Sequence, residues 1–240
     1  MQITSATALV TGANRGLGRA LVDQLLTSGA KRIYATARAK TEAEKLSAID
    51  PRVTGLVLDV TNPAQIASVA AAASDVTLLV NNAGVLDFGN FLDAQRPQID
   101  RNFATNFYGT LDTTRAFVPV LDANGGGTVV NLLTLVALAS MPGLSVYNAS
   151  KAAAWSMTQS WRASLASKNI KVMGVFPGAV DTDMIAGLEM PKTSASDVAR
   201  AIVQGISGDE EDVFPDPMSA NLYMQWKQDH KAIEHQFATM

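Results

Sequence analysis

The sequence predicts an α/β fold: one doubly wound domain in which a seven-stranded parallel sheet carries helices on both faces. Three observations predict it. Short continuous apolar runs alternate with helical patterns along the chain, and parallel sheets are the ones buried on both faces. The first of these runs passes directly into a glycine-rich turn and a helix. No internal repeat or linker-like segment interrupts the 240 residues, a length that suits one large domain over residues 1–240.

The elements follow in order. Residues 6–10 read as a buried strand. The helical pattern over 17–28 stops at Gly29, glycine being common just past a helix end. Residues 32–36 form the second strand, followed by a short helix near 42–48, and residues 53–58 form the third. The helix over 63–73 opens with Pro63 after Asn62, a capping residue followed by a proline that needs no amide partner in the first turn. Residues 77–80 are the fourth strand. After a loop, one long helix is expected over 98–121, closed by the turn Asn124-Gly125-Gly126-Gly127. A fifth strand over 128–133, a long helix over 146–167, a sixth strand over 170–176, a helix over 196–206 and a short last strand over 212–214 complete the order. In such sheets a ligand lies beyond the carboxyl ends of the strands, where the strand order reverses.

Composition narrows the function classes. Hydrophobic residues make up 48% and charged residues 17%, the balance of a globular protein with a large core. The formal net charge of −3 and the scattered basic residues argue against a nucleic-acid binder or a polybasic membrane patch. There are no cysteines, which excludes disulfides, thiolate metal sites and cysteine nucleophiles. His230 and His235 are the only histidines, on a segment that reads as exposed, so no metal site is expected. The first residues do not form a signal peptide. The longest apolar stretch, residues 129–141, contains Asn131, Thr134 and Ser140 and falls short of the roughly 18 residues a membrane span needs. The expectation is a soluble cytoplasmic protein.

Directly after the first strand comes Thr11-Gly12-Ala13-Asn14-Arg15-Gly16-Leu17-Gly18. Gly12 permits a tight turn, Gly16 lets the backbone approach a phosphate, and Gly18 lets the helix pack on the strand. The helix N-terminus then offers free N–H groups and a positive dipole end to a pyrophosphate. The spacing is G-x-x-x-G-x-G rather than G-x-G-x-x-G, but strand, loop and helix at this place indicate a Rossmann-like nucleotide site. The second strand ends Ala35-Thr36-Ala37-Arg38, without the acid that would hold an NAD ribose. Arg38 and Arg15 in its place favour the 2′-phosphate of NADP.

Tyr147-Asn148-Ala149-Ser150-Lys151 opens a long helix. Residues four apart share a helical face, so Tyr147 and Lys151 can point into one site. A nearby ammonium stabilises phenolate, which is expected to lower the tyrosine pKa and fit it for proton transfer. Taken alone this pair is common in helices.

Context gives the pair its weight. The chain resembles the short-chain dehydrogenase/reductase family, in particular NADP-dependent carbonyl reductases, from about Thr7 to Pro215. The resemblance is carried by Thr11 to Gly18, Asp59-Val60, Asn81-Asn82-Ala83-Gly84, Asn106, the Tyr147/Lys151 pair and Pro177-Gly178-Ala179-Val180-Asp181-Thr182. It implies roles: Tyr147 as general acid in reduction and base in oxidation, Lys151 as its tuner and holder of the cofactor ribose, and Asn106 as support for a water relay. Asp59 and Val60 would flank the adenine. Asn82, Ala83 and Gly84 would line the cofactor floor. Pro177, Gly178, Val180 and Thr182 would hold the nicotinamide end, and Asn14 and Leu17 belong to the phosphate loop. One position departs from the pattern. Where the family usually carries a serine, thirteen residues before the tyrosine, stands Thr134. Its hydroxyl donates and accepts as serine does, with an added methyl that restricts its rotamer. The resemblance also implies a homodimer or homotetramer.

Residues 183–195 form a short lid over the substrate, with Met184, Ile185, Leu188 and Met190 as apolar faces and Gly187 as a hinge. Leu86, Phe88, Leu135 and Val136 are candidate walls. Over residues 218–240, Leu222, Tyr223, Trp226, Ile233 and Phe237 suit one helical face that docks on the domain or on a neighbouring subunit. The leading reading is an NADPH-dependent reductase of small neutral ketones and aldehydes, reversible as an alcohol dehydrogenase. An NAD-dependent alcohol dehydrogenase of the same family and a non-catalytic NADP-sensing regulator stay open as alternatives.

Overall fold

A computed structural model describes residues 1–239. After a short turn at Ile3–Ser5, strand β1 (Thr7–Val10) runs fully buried into the glycine loop, and helix α1 (Gly16–Thr27) leaves it. Strand β2 (Arg32–Ala37) precedes α2 (Lys40–Ser47), and β3 (Val53–Val57) precedes α3 (Pro63–Ala72). Asn62 caps α3 as its sequence predicts, accepting from the Ala64 and Gln65 N–H groups at 3.1 and 3.2 Å. Strand β4 (Leu78–Asn81) leads to α4 (Arg96–Asn102), a π-helical stretch over Phe103–Gly109, and α5 (Thr110–Ala123). Then come β5 (Gly127–Leu132), α6 (Ser145–Leu165) and β6 (Ile170–Val175). Two short strands, β7 (Val180–Asp181) and β8 (Thr193–Ser194), precede α7 (Ala195–Ser207), β9 (Asp212–Val213), α8 (Pro217–Gln228) and α9 (His230–Ala238).

Seven strands form one parallel sheet in the order β3-β2-β1-β4-β5-β6-β9, while β7 and β8 pair apart from it. Val10 at the end of β1 lies between Ala35 of β2 and Val80 of β4. The order reverses there, and a crevice opens at the carboxyl ends of the strands.

Alternating side chains send each strand into two apolar layers. Ala8, Val10, Ile33 and Val80 meet Leu21 and Leu25 of α1 and Ile202 of α7. On the other face Leu9, Leu79 and Val129 meet Ile66 of α3 with Phe117 and Leu121 of α5. Each such buried Val, Leu, Ile or Phe side chain contributes about 1.5–3 kcal/mol, so the sheet is a rigid platform for the loops at its edge.

Most element ends fall within a residue or two of those read from the sequence. Two differences are larger. The single helix expected over 98–121 is broken by the π-helical stretch at Phe103–Gly109. There Asn106 turns its side chain to the backbone of Val85, and Gly109 packs so closely on Val60 that a Cβ would lie 2.7 Å from its Cγ2. The C-terminal segment is two helices, because Asp229 leaves the helical region (φ −150°) and caps α9 by accepting the Ala232 N–H at 3.0 Å. Both helices dock on the domain: Leu222, Trp226, Ile233 and Phe237 pack with Leu135 and Ala139, and the Tyr223 ring stacks 3.8 Å from Phe214. The last residue of that segment, Met240, lies outside the described residues. Among the described residues no helix is long and apolar enough to cross a membrane, and no acidic or histidine cluster is placed to hold a metal ion.

Candidate active site

A cleft of about 690 Å³ opens along the carboxyl ends of the strands, a size typical of small-molecule sites. Its near end is the glycine loop. Gly12 and Gly16 hold φ values of 64° and 54°, which side-chain-bearing residues rarely adopt. A Cβ on Gly18 would sit 2.3 Å from the Gly12 carbonyl and 2.4 Å from Asn82 Nδ2, so the helix meets the loop only because this residue is glycine. The loop is braced from β4. Asn82 Nδ2 donates to the Thr11 and Gly12 carbonyls at 2.9 and 3.1 Å, and Thr11 Oγ1 accepts the N–H groups of Asn82 and Ala83, both at 2.9 Å.

This end fits a dinucleotide. Arg15, the N-cap of α1, makes no side-chain capping bond, and Gly12, Asn14, Arg15, Gly16, Leu17 and Gly18 all line the cleft beside the positive end of that helix. Arg38 stands at the rim after β2, facing Asp59. Burial works to raise the Asp59 pKa, but bonds from the Thr61 hydroxyl and N–H and the charge of Arg38 together hold it below the ordinary carboxylate value. Val60 completes that wall. Two features here have no counterpart in the sequence reading. Arg15 Nη1 lies 3.4 Å from Asp183 Oδ2 of the lid, with both side chains well exposed. Glu42, near Arg38 on the cleft wall, is held by Lys45 at 2.8 Å.

The other end is built by β5 and α6. Tyr147 lies in the first turn of α6 and Lys151 one turn on, both buried. Lys151 Nζ donates to the Leu132 carbonyl at 2.6 Å and stands 5.9 Å from the centre of the Tyr147 ring. Thr134, also buried, caps the short turn Leu135–Ala137, its hydroxyl oxygen accepting the Val136 N–H at 3.4 Å. The expected lowering of the tyrosine pKa does not occur. Burial pushes Tyr147 up to about 12, against which the neighbouring Thr134 hydroxyl acts, and burial brings Lys151 down to about 8. Desolvation penalises both charged forms and outweighs the attraction that the spacing of the pair promises.

Thr134, Tyr147 and Lys151 line the cleft, and so do all the residues that the sequence assigns to the cofactor: the glycine loop, Arg38, Asp59, Val60, Asn82, Ala83, Gly84, Pro177, Gly178, Val180 and Thr182. Asn106 stands behind the wall, fully buried. Its amide donates to the Val85 carbonyl and to Ser150 Oγ, both at 2.9 Å, and its oxygen accepts the Val85 N–H. Ser150 Oγ donates in turn to the Tyr147 carbonyl at 2.7 Å. Asn106 thus ties the loop after β4 to the first turn of α6. Gly84 permits this closeness, since a Cβ there would be 3.2 Å from Asn106 Oδ1 and 3.7 Å from Lys151 Nζ. Ser150 is a member of this group that the sequence reading passed over.

Of the candidate substrate walls, Leu86, Leu135 and Val136 line the cleft, whereas Phe88 does not and is half exposed. The 183–195 segment, expected as a lid, brings Met184, Ile185, Leu188 and Met190 to the cleft. Within that segment Thr193 and Ser194 pair as β8 with β7, and Ser194 caps α7 through the Asp197 N–H at 3.1 Å.

Comparison with known proteins agrees with this layout. Residues 6–192 match the model of the family described as short chain dehydrogenase. A sorbitol dehydrogenase of Cereibacter sphaeroides is 32% identical over 194 residues, covering 79% of this chain and 76% of the relative. The crystal structure of a short chain dehydrogenase from Burkholderia cenocepacia J2315 in complex with NADP is 36% identical, covers 99% of each chain and superposes with a TM-score of 0.93. A relative from Burkholderia phymatum in complex with NAD, 24% identical over 98% of this chain and 96% of its own, shares the fold with a TM-score of 0.86. The chain is an oxidoreductase of the short-chain dehydrogenase/reductase family.

Proposed function

We propose that the protein reduces small neutral ketones and aldehydes with NADPH, reversibly, using Tyr147 as the general acid. The observation that carries this reading is one cleft that joins a dinucleotide cradle bearing Arg15 and Arg38 to a buried Thr134–Tyr147–Lys151 group. When bound, the nicotinamide supplies the hydride, while the protein supplies alignment and charge.

The residues have separable tasks. At neutral pH Tyr147 holds its proton and Lys151 is largely charged, the states that reduction requires: a proton donor at Tyr147 Oη with a cation beside it. Proton transfer from Oη to the carbonyl oxygen leaves a phenolate, which the Lys151 ammonium stabilises. Thr134, already placed by its bond to the Val136 N–H, orients the same substrate oxygen. The buried setting strengthens these interactions.

Preference for NADPH rests on the two rim arginines, on the lack of a carboxylate at the end of β2, and on Glu42 being engaged by Lys45. It is in keeping with the NADP held by the 36% identical relative. Measured kcat/KM for the two coenzymes with one ketone tests it: NADPH is expected to lead by about tenfold or more, the value of one lost charge-assisted contact. A tenfold lead for NADH would contradict it.

A further inference from the structure

The lid after Thr182 is short, and the wall it leaves unfinished is completed from the far end of the chain. Helix α8 brings Met218 and Leu222 to the cleft, and α9 brings Gln236 and Phe237. These side chains ride on helices packed into the domain, not on a loop. Phe237 is buried against Leu135, the neighbour of Thr134.

One buried residue fixes the placement. Asp216, the N-cap of α8, accepts the Ser219 N–H through Oδ1 at 2.9 Å and the Gly178 N–H through Oδ2 at 2.8 Å. A Cβ on Gly178 would be 2.9 Å from Asp216 Oδ1 and 3.1 Å from Met218 Sδ. The loop that ends at the nicotinamide side of the cleft and the first turn of α8 are therefore one joined unit.

The chemistry of this wall is one-sided. Met218, Leu222 and Phe237 are apolar, and thioethers adapt to irregular ligands. The cations on the cleft come from the glycine loop, the end of β2 and α6, and neither the lid nor α8 and α9 add one. An anionic substrate would find no cation there. Gln236 is the one polar side chain the two helices place on the cleft, and its amide both donates and accepts.

We propose, resting on the reductase reading above, that α8 and α9 form the substrate-selecting wall, with Phe237 and Gln236 favouring neutral, ring-bearing ketones over open-chain or anionic ones. Ring contact with a buried aromatic supplies the selectivity, and a carboxylate facing that wall loses hydration with no cation to neutralise it.

The test compares acetophenone, butan-2-one and 4-acetylbenzoate in the wild type, Phe237→Ala and Gln236→Trp. Gln236 is exposed, so its replacement keeps the core if Phe237→Ala disturbs α9. The wild type should prefer acetophenone to 4-acetylbenzoate by about tenfold, and Phe237→Ala, which removes the ring, and Gln236→Trp, whose bulk fills the space in front of it, should each cut the acetophenone to butan-2-one ratio of kcat/KM by about fivefold or more. The NADPH dissociation constant, read by fluorescence, should stay within about twofold. A smaller fall in that ratio, or equal use of 4-acetylbenzoate, overturns the proposal. Saturation-transfer NMR of acetophenone on the NADP-loaded protein reads the wall without turnover. If neither neutral ketone is reduced, the reductase reading fails on its own. A wild-type NMR signal that Gln236→Trp abolishes still supports the wall, and a signal absent in wild type or equal in both overturns it.

Discussion

Lys151 Nζ donates to the Leu132 carbonyl at 2.6 Å, so the cation of the proposed catalytic group is tied to the end of β5 and buried. Burial brings its pKa from 10.5 to about 8. The unfolded chain keeps this proton up to the ordinary value and the folded chain releases it sooner. Between those values the unfolded state binds more protons, and stability rises with pH. Below the folded pKa the cost of the buried charge stands in full, on the order of 3 kcal/mol. Lys151→Met is therefore expected to raise Tm by several degrees, at about 2–4 °C per kcal/mol, while reduction falls about a hundredfold or more. In the unmodified enzyme, ketone reduction should decline as pH passes about 8. Calorimetry and a pH profile check both, and a Lys151→Met protein that is less stable and fully active would contradict them.

The Arg15–Asp183 pair joins the glycine loop to the lid across 3.4 Å at the surface. A bound 2′-phosphate would compete with Asp183 for Arg15. Exposed pairs are worth about 0.2–1 kcal/mol, so Asp183→Asn should tighten NADPH by roughly 1.5- to 5-fold, leave NADH binding unchanged, and lose its effect at high salt. Arg15→Ala should weaken NADPH. Fluorescence titration at two ionic strengths is the check.

Thr134 is buried beside Tyr147, with its hydroxyl already accepting the Val136 N–H. Thr134→Ser keeps that hydroxyl and should retain activity. Thr134→Val keeps the shape and removes the hydroxyl, for an expected loss in kcat/KM of about tenfold to a thousandfold. Full activity in the valine variant would remove Thr134 from the mechanism.

Asp216 serves both as the cap of α8 and as the acceptor for Gly178. Asp216→Ala is expected to cost about 2–4 kcal/mol in urea denaturation. Asp216→Asn, which keeps one acceptor oxygen, should recover part of that. If Asp216 positions the wall, the alanine variant also raises the ketone KM more than the NADPH dissociation constant, and asparagine reverses both.

The central strands were legible because each is a short apolar run buried on two faces, as in Ala8, Leu9 and Val10. The cofactor end was legible because backbone approach demands glycine at Gly12, Gly16 and Gly18, and no other residue leaves so plain a mark. The break around Asn106 was not, since its cause is a contact with Val85, 21 residues away in sequence. Asp229 is a capping residue by type, yet the apolar spacing on either side of it hid the end of α8. The place of Phe237 on the cleft was hidden for a related reason: helical spacing marks it as apolar and inward, but says nothing of which cavity it meets. The pKa shift of Tyr147 depends on its own burial, which a spacing of four residues from Lys151 does not encode.

The most direct test of the account is Tyr147→Phe, measured for NADPH-dependent ketone reduction and for NADPH binding in the same preparation. The substitution removes only the hydroxyl, so turnover should fall by about a thousandfold or more while the NADPH dissociation constant stays within about threefold. A Tyr147→Phe enzyme that reduces the ketone at near wild-type rate would contradict the central claim.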